Sequence, residues 1–258
     1  MKKLLSIAVI SVLFLVICLP VFADGVQSYS WYCIRNKEHK QPPLDSQLSF
    51  VNDFGGYYVD KEMKENSTDK KVYLTFDVGY ENGNVEKILD VLDQQQVKGA
   101  FFVLGNVIVS NPDLILRMER AGHTVCNHTY SHSGISKYSK DELRLELAKL
   151  EEAYTACTGK TMAKYFRPPE GRFSKENMED LHALGYKTIF WSFAYADWDN
   201  NRQMSPDKAK EKILSNVHNG AVLLLHPTSA TNAQILGDVI CELKKQGYEF
   251  STLDDLTS

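Results

Sequence analysis

From Lys71 to the C-terminus, short runs of apolar, β-branched and aromatic residues alternate with segments of helical periodicity. The first run, 71–79, ends abruptly in Asp77-Val78-Gly79, and further apolar runs occupy 100–104, 123–127, 165–167, 188–191 and 221–226. A helical pattern separates each run from the next, and one helix is expected to begin at a Ser139–Glu142 capping box. This alternation predicts an α/β domain whose mainly parallel sheet closes, or nearly closes, as a distorted (β/α) barrel.

The N-terminus has the composition of an export signal. Lys2 and Lys3 precede an apolar run that ends at Leu19, and Val21 and Ala23 follow it. We therefore predict a signal peptide over residues 1–23, cleaved after Ala23, and a mature protein in the cell wall or at the extracytoplasmic face of the membrane. The apolar run is nearly long enough to span a bilayer, so an uncleaved anchor is the alternative.

Residues 24–70 carry aromatic and polar residues without a sustained period. They predict an irregular N-terminal arm, followed by the main domain over residues 71–258. So many aromatic residues argue against full disorder, and we expect the arm to pack on the domain. The residues expected to make this contact are Trp31, Tyr32, Phe50, Phe54 and Tyr57.

Charge excludes one class of partner. The 258-residue chain has a formal net charge of -4 at pH 7, and its Lys and Arg residues are mixed with acids throughout the predicted helices. This pattern does not favour a nucleic-acid surface.

Chemically capable side chains follow the predicted strands. They are Asp77, Asn127-His128, Arg167, Asp197 and His226. The carboxyl ends of parallel barrel strands converge on one rim, so these residues predict a site there. Taken alone, Asp77-Val78-Gly79 also fits a plain turn.

His128 and His132 stand four residues apart. One turn of helix would place both imidazoles on the same side, where they can hold a divalent metal. Two histidines in a surface turn are an equally good interpretation of this hexapeptide.

The other candidates also have structural alternatives. Arg167 precedes Pro168-Pro169, where it can face the rim and hold a carboxylate bidentately, or stand solvated in a rigid loop. His226 follows a wholly apolar strand, a position typical of a satisfied core histidine as well. Asp197 supplies a carboxylate that can orient the His226 ring, although Asp-Trp pairs also occur as loop caps.

In combination, these motifs resemble the polysaccharide deacetylases. The ordered motifs are Thr75-Phe76-Asp77-x-Gly79, His128-x-x-x-His132, Arg167-Pro168-Pro169-x-Gly171, Asp197-Trp198 and Leu224-Leu225-His226. Three further segments resemble the delta-lactam-biosynthetic de-N-acetylases, which are muramic acid deacetylases of spore-forming bacteria. They are Gly79-Tyr80-Glu81-Asn82-Gly83, His39-Lys40-Gln41-Pro42-Pro43 and Ala194-x-x-Asp197-Trp198.

The resemblance implies a role for each matching residue. Asp77 becomes the general base and His226 the general acid, with Arg167 holding Asp77 and Asp197 orienting His226. His128 and His132 become ligands of a divalent metal, zinc first among the candidates, and Trp198 is expected to pack against a sugar face. The residue chemistry agrees with an amide-bond hydrolase in which activated water attacks an acetamide.

Val78 departs from the family pattern, because most members have a second, metal-binding Asp there. Valine has no lone pair, so the metal site is short of one ligand. Glu81 or water completing the site, weak metal affinity, and catalysis without a tightly held ion all remain open.

The expected function is that of an exported peptidoglycan N-deacetylase acting on N-acetylmuramic acid and leading to muramic δ-lactam in the spore cortex. Its partners would be the peptidoglycan glycan strand and, functionally, a muramoyl-alanine amidase. Two alternatives remain: a deacetylase of N-acetylglucosamine in peptidoglycan or chitin, and a catalytically inactive wall-binding module, which Val78 suggests.

Overall fold

The computed structural model describes residues 26–34, 38–64 and 67–258. The predicted signal segment, residues 1–23, lies outside them. Within the described ranges, no helix combines the length and apolar character needed to cross a membrane.

Helices and strands alternate from residue 70 onward. The strands are β1 (Ser28–Ser30), β2 (Gly56–Tyr57), β3 (Lys70–Val78), β4 (Ala100–Val103), β5 (Thr124–Asn127), β6 (Tyr165–Phe166), β7 (Arg172–Ser174), β8 (Lys187–Ile189), β9 (Ala221–Leu225) and β10 (Tyr248–Phe250). The α-helices are α1 (Asn84–Gln95), α2 (Gly105–Ser110), α3 (Pro112–Arg120), α4 (Lys140–Thr158), α5 (Lys175–Ala183), α6 (Pro206–Leu214), α7 (Ala230–Lys245) and α8 (Leu253–Leu256). The capping box predicted at Ser139 and Glu142 is confirmed at the start of α4.

The main sheet is parallel and curls on itself. Its strands run in the order β10-β3-β4-β5-β6-β8-β2, and β9 also pairs with β3. A parallel bridge between Phe193, which follows β8, and Leu223 of β9 draws the margins of the sheet together. The predicted distorted (β/α) barrel is therefore confirmed.

Strand β3 divides its side chains between two layers. Its even-numbered residues join the core cluster that includes the helices, namely Val72, Leu74, Phe76 and Val78. Tyr73 belongs to a separate cluster with Phe102 and Val222 on the other face of the sheet. Because side chains alternate along a strand, Asp77 leaves β3 on the Tyr73 side, whereas Val78 is buried against the helices.

The N-terminal arm is more regular than the sequence indicates. Strand β1 pairs antiparallel with β7, and β2 extends the main sheet beside β8. Trp31 packs on Phe190 with ring centroids 4.2 Å apart, as expected of an arm packed on the domain. Tyr32, by contrast, is half exposed, and its hydroxyl donates a hydrogen bond to Asp45.

Gln41 of the arm lies at the amino-terminal end of the barrel. Its side-chain nitrogen lies within 3.0 Å of the carbonyl oxygens of Asp60, Met63 and Asn219. The Asn219 side chain in turn accepts a hydrogen bond from the backbone N–H of Lys71, near the start of β3. Gln41 thus has a structural role, linking three loop segments by hydrogen bonds. It lies at the opposite end of the barrel from the predicted site.

Candidate active site

The carboxyl ends of the barrel strands surround an open cleft of about 640 Å³. Five of the predicted site residues line it, namely Asp77, His128, His132, Trp198 and His226. The other two, Arg167 and Asp197, are buried and contact lining residues from behind. The barrel therefore brings all seven predicted residues into one neighbourhood.

Asp77 is held by Arg167, whose side chain is completely buried. Guanidinium Nη1 donates to Asp77 Oδ1 at 2.8 Å, Nε donates to the carbonyl oxygen of Ile189, and Nη2 donates to Thr75 Oγ1 and the carbonyl oxygen of Phe190. The predicted bidentate contact with a carboxylate is therefore wrong: one N–H binds Asp77 and the remaining donors bind other acceptors. The physical reason is that a buried guanidinium must satisfy all its donors, and the strand ends around it supply carbonyl and hydroxyl oxygens.

The electrostatics of Asp77 favour its ionised form. Burial on its own would raise the pKa of this carboxyl, but the positive charge of Arg167, with a contribution from His226, holds the pKa below its usual range. A carboxylate that stays ionised and lines a cleft can remove a proton from a bound water.

His128 is fixed in one tautomer. Its Nδ1 lies 2.8 Å from the carbonyl oxygen of Arg167, and because a carbonyl only accepts, we assign the proton to Nδ1. Nε2 then carries a lone pair and lies 3.5 Å from Asp77 Oδ2. Burial lowers the pKa of His128 to about 4, so the ring is neutral at physiological pH.

The segment from His128 to His132 is a loop, so the predicted helical turn is wrong. Thr129 and His132 have φ angles of 69° and 58°, in the left-handed region that excludes a right-handed helix. The Asn127 side chain accepts from the Thr129 N–H, and Thr129 Oγ1 accepts from the His132 N–H. The loop nevertheless brings the two imidazoles together, with ring centroids 5.1 Å apart.

His226 is supported by Asp197. Its Nδ1 lies 2.7 Å from Asp197 Oδ1, and its backbone N–H donates to Asp197 Oδ2 at 2.8 Å. Burial alone would lower the pKa of His226, but the hydrogen bond to Asp197 and its negative charge outweigh burial and raise the pKa above the ordinary value. The imidazolium is thereby favoured, and its Nε2 is free of this contact and available for proton donation.

Sequence reasoning missed the residues that complete this support. The Asn232 side chain donates to Asp197 Oδ2 at 2.6 Å and to the carbonyl oxygen of His226 at 3.1 Å, and the Tyr195 hydroxyl donates to Asn232. These residues sit on α7 and after β8, and no local pattern links them to Asp197.

Aromatic side chains form part of the cleft wall. Trp198 is 61% exposed, and its ring lies 6.1 Å from that of His226. Trp191 passes so close to Gly171 that a Cβ there would lie 2.8 Å from the indole, and Gly171 also has a φ of 65°. Only glycine suits both conditions, so the Arg-Pro-Pro-x-Gly motif shapes the wall through its last residue.

The donor atoms suit a divalent metal in part. His128 has the features of a metal ligand, since it is neutral and its Nδ1–H is held by a carbonyl oxygen. Val78 offers no donor and is fully buried, and the Glu81 carboxylate accepts from the backbone N–H of Gly83 instead of lining the cleft. Within the described part of the chain, no group of three or more His, Cys, Asp or Glu is arranged to hold a metal.

The layout of this rim is that of a hydrolase. The parallel barrel brings to it a buried carboxylate, two adjacent imidazoles and a histidine supported by a second carboxylate. The family model for polysaccharide deacetylases matches residues 64–189. A curated relative that is 40% identical aligns over 85% of its own length. The chain belongs to the polysaccharide deacetylase family, as its motifs predicted.

Among the members of this family, the chain is similar to deacetylases that act on peptidoglycan. The chain is similar to the peptidoglycan-N-acetylmuramic acid deacetylase PdaA of Bacillus subtilis (strain 168), with 40% identity over 228 residues, 88% of this chain. A solved structure of Bacillus subtilis PdaA, a family 4 carbohydrate esterase, matches with a TM-score of 0.83 and 39% identity, covering 89% of this chain and 97% of that chain. The peptidoglycan-N-acetylglucosamine deacetylase PgdA of Listeria monocytogenes serotype 1/2a (strain 10403S) is 34% identical over 76% of this chain and 40% of its own length.

Proposed function

We propose that the protein is an exported peptidoglycan N-deacetylase that removes the acetyl group from N-acetylmuramic acid. One observation carries the proposal: an ionised Asp77 and a proton-bearing His226 line the same cleft. Amide hydrolysis needs both, because water must lose a proton and the departing amine must gain one. The likeness to PdaA, over most of both chains, supports muramic acid as the sugar.

Asp77 accepts a proton from water as the oxygen attacks the carbonyl carbon of the acetamide. His226 then donates the proton on Nε2 to the amide nitrogen, the C–N bond breaks, and acetate and a free amine are released. Arg167 keeps Asp77 ionised and aimed at the cleft, and Asp197 keeps His226 protonated and oriented. Trp198, exposed beside His226, provides an apolar face for the sugar ring.

We assign His128 and His132 as ligands of a divalent metal, with zinc first among the candidates. When bound there, the ion would polarise the acetamide carbonyl as a Lewis acid. The fixed tautomer of His128 supports the assignment, and the apolar Val78 supports weak binding.

The proposed organisation of the chain is a signal peptide or anchor at 1–23, an N-terminal arm at 24–70 and the catalytic domain at 71–258. The contacts between Trp31 and Phe190 support an arm that packs on the catalytic domain. A peptidoglycan substrate supports an extracytoplasmic location, with membrane contact only through the N-terminal segment.

We further propose that the substrate is muramic acid without its stem peptide, so that the product closes to muramic δ-lactam in the spore cortex. A lactam requires a free amine and an unblocked lactyl carboxyl on the same sugar, and a stem peptide already occupies that carboxyl. This requirement implies that a muramoyl-alanine amidase acts first. Arg167 cannot bind the lactyl carboxyl of the substrate, because the Arg167 side chain is fully buried and bonded to Asp77.

The test compares intact wall with wall treated with a muramoyl-alanine amidase, using mass spectrometry and the Asp77→Asn protein as the inactive control. The expected signature is loss of one acetyl group from stripped muramic residues, followed by loss of water on cyclisation. Loss of acetyl only from glucosamine, or equally from intact and stripped walls, would refute the muramic assignment and favour the glucosamine deacetylase. Absence of acetate release from every wall substrate would favour a wall-binding module.

A further inference from the structure

The loop carrying the two histidines adopts an unfavourable backbone conformation. Thr129 and His132 both have positive φ, and Thr129 is β-branched, a residue type that rarely enters the left-handed region. Such a conformation is unfavourable and persists only where surrounding contacts impose it. The loop therefore needs a constraint from outside.

Asn127 supplies part of that constraint by accepting from the Thr129 N–H, and Glu146 on α4 supplies another part. Its Oε2 accepts hydrogen bonds from the consecutive backbone N–H groups of Tyr130 and Ser131, each at 3.1 Å, and from the Ser131 hydroxyl at 3.0 Å. Two successive N–H groups converging on one oxygen form an anion-binding concavity, and here a carboxylate of the same chain fills it. Hydrogen bonds to an ionised acceptor are about twice as strong as neutral ones.

The loop is also fixed at Tyr130 by α2. The Gly105 N–H donates to the Tyr130 carbonyl oxygen at 3.0 Å, and a Cβ on Gly105 would lie 2.4 Å from the Tyr130 ring. Lys149, one turn after Glu146 on α4, places its ammonium 4.0 Å from the centre of the same ring. Gly105 and Lys149 thus contact Tyr130 only. Of these three residues, Glu146 is the one that also bonds Ser131, which directly precedes His132.

We propose that Glu146 is a positioning residue, which holds the strained loop so that His132 is presented beside His128 for the metal. The inference rests on the metal role proposed above for the two histidines. Glu146 touches no reacting atom, because its three bonds all go to Tyr130 and Ser131. Its effect passes through the backbone of the loop.

The experiment uses the full chain and two independent readouts, amide hydrogen exchange on the metal-free protein and zinc binding by calorimetry. In Glu146→Ala, exchange at the Tyr130 and Ser131 amides should rise tenfold or more, since each loses its charged acceptor. Zinc affinity should fall by about 10–100-fold, the usual effect of removing a group that orients a metal ligand. Glu146→Gln keeps an acceptor oxygen without the charge and should lie between Glu146→Ala and the parent.

Glu152→Ala is the matched control, because Glu152 is an exposed carboxylate on the same helix. It should match the parent in both readouts, and the Leu147 and Leu150 amides should stay protected in every variant. Unchanged exchange at Tyr130 and Ser131 in Glu146→Ala would overturn the proposal. So would faster exchange along α4, which indicates general destabilisation, or faster loop exchange with zinc affinity unaltered. A parent that binds no zinc would refute the metal role instead, and the exchange data alone would then decide whether Glu146 holds the loop.

Discussion

Replacing Asp197 with Asn should move the alkaline limit of deacetylase activity to lower pH. Asp197 accepts from His226 Nδ1 through one oxygen, and from the His226 N–H and the Asn232 amide through the other. An asparagine has one acceptor oxygen, so it cannot satisfy both groups of donors. In one orientation of the new side chain, the His226 imidazole loses its acceptor. In the other, the His226 backbone N–H and the Asn232 amide both face the NH₂ group of the new asparagine.

The size of the effect follows from the lost charge. An opposite charge within about 4–6 Å typically shifts a pKa by about 1–3 units. In the parent, the pKa of His226 is raised, so the imidazolium persists to higher pH and activity disappears as the pH rises through that raised pKa. Without the Asp197 carboxylate, Asp77 is left to oppose the effect of burial, so the pKa of His226 falls and the alkaline limb should move down by about 1–3 pH units.

The assay is the pH dependence of kcat/KM for acetate release, measured from about pH 5 to 10 so that the limb that reports the acid is covered. Asp199→Asn is the control, because that carboxylate bonds the Arg202 side chain and the backbone N–H of Asn201, with no contact to His226. It should leave the limb in place. An alkaline limb for Asp197→Asn that coincides with the parent's would refute the assignment of His226 as the acid oriented by Asp197.

Three further substitutions test the base, the buried guanidinium and the buried Val78. Asp77→Asn should lower kcat/KM by about 10²–10⁴-fold, the usual cost of losing a general base, and a folded variant within about tenfold of the parent would contradict the role. Arg167→Lys should lower the free energy of unfolding in urea by about 3–5 kcal/mol, because one ammonium cannot reach the four acceptors that Arg167 serves, and an unchanged midpoint would contradict this. Val78→Asp should lower the Tm of the metal-free protein, because it puts a carboxylate among the apolar side chains of the core, and an unchanged Tm would contradict the burial of this side chain.

The strand ends were predictable because their signals are local. Each apolar run and helical pattern spans enough residues to show its period, and parallel strands necessarily bring their carboxyl ends to one rim. The short elements were not predictable in this way: α2 has six residues and α8 has four, fewer than two helical turns. Strand β2 has two residues and forms only because β8 offers it an edge.

The site details that the sequence missed depend on distant partners. The spacing of His128 and His132 predicts a helical turn. Instead, Glu146 and the Asn127 side chain stabilise a loop in which Thr129 and His132 have left-handed backbone conformations. The expected bidentate contact of Arg167 fails for a related reason, since its acceptors come from segments that no local pattern joins to it. The residue types indicated which side chains would come together at the site. The packing of the strand ends determines which acceptors each donor binds.

Arg167 links the two halves of the proposed chemistry. Its guanidinium holds Asp77, the proposed base, while its carbonyl oxygen accepts from Nδ1 of His128, the proposed metal ligand. Its own N–H donates to the carbonyl oxygen of Asn127, which fixes the end of β6 against the end of β5. The base and the metal ligand are thus oriented by one buried residue, whose backbone is restricted by the proline that follows. Because Val78 contributes no ligand, a metal would depend on how the two histidines are oriented, and a substitution that shifts the Arg167 backbone should disturb the base and the His128 ligand together.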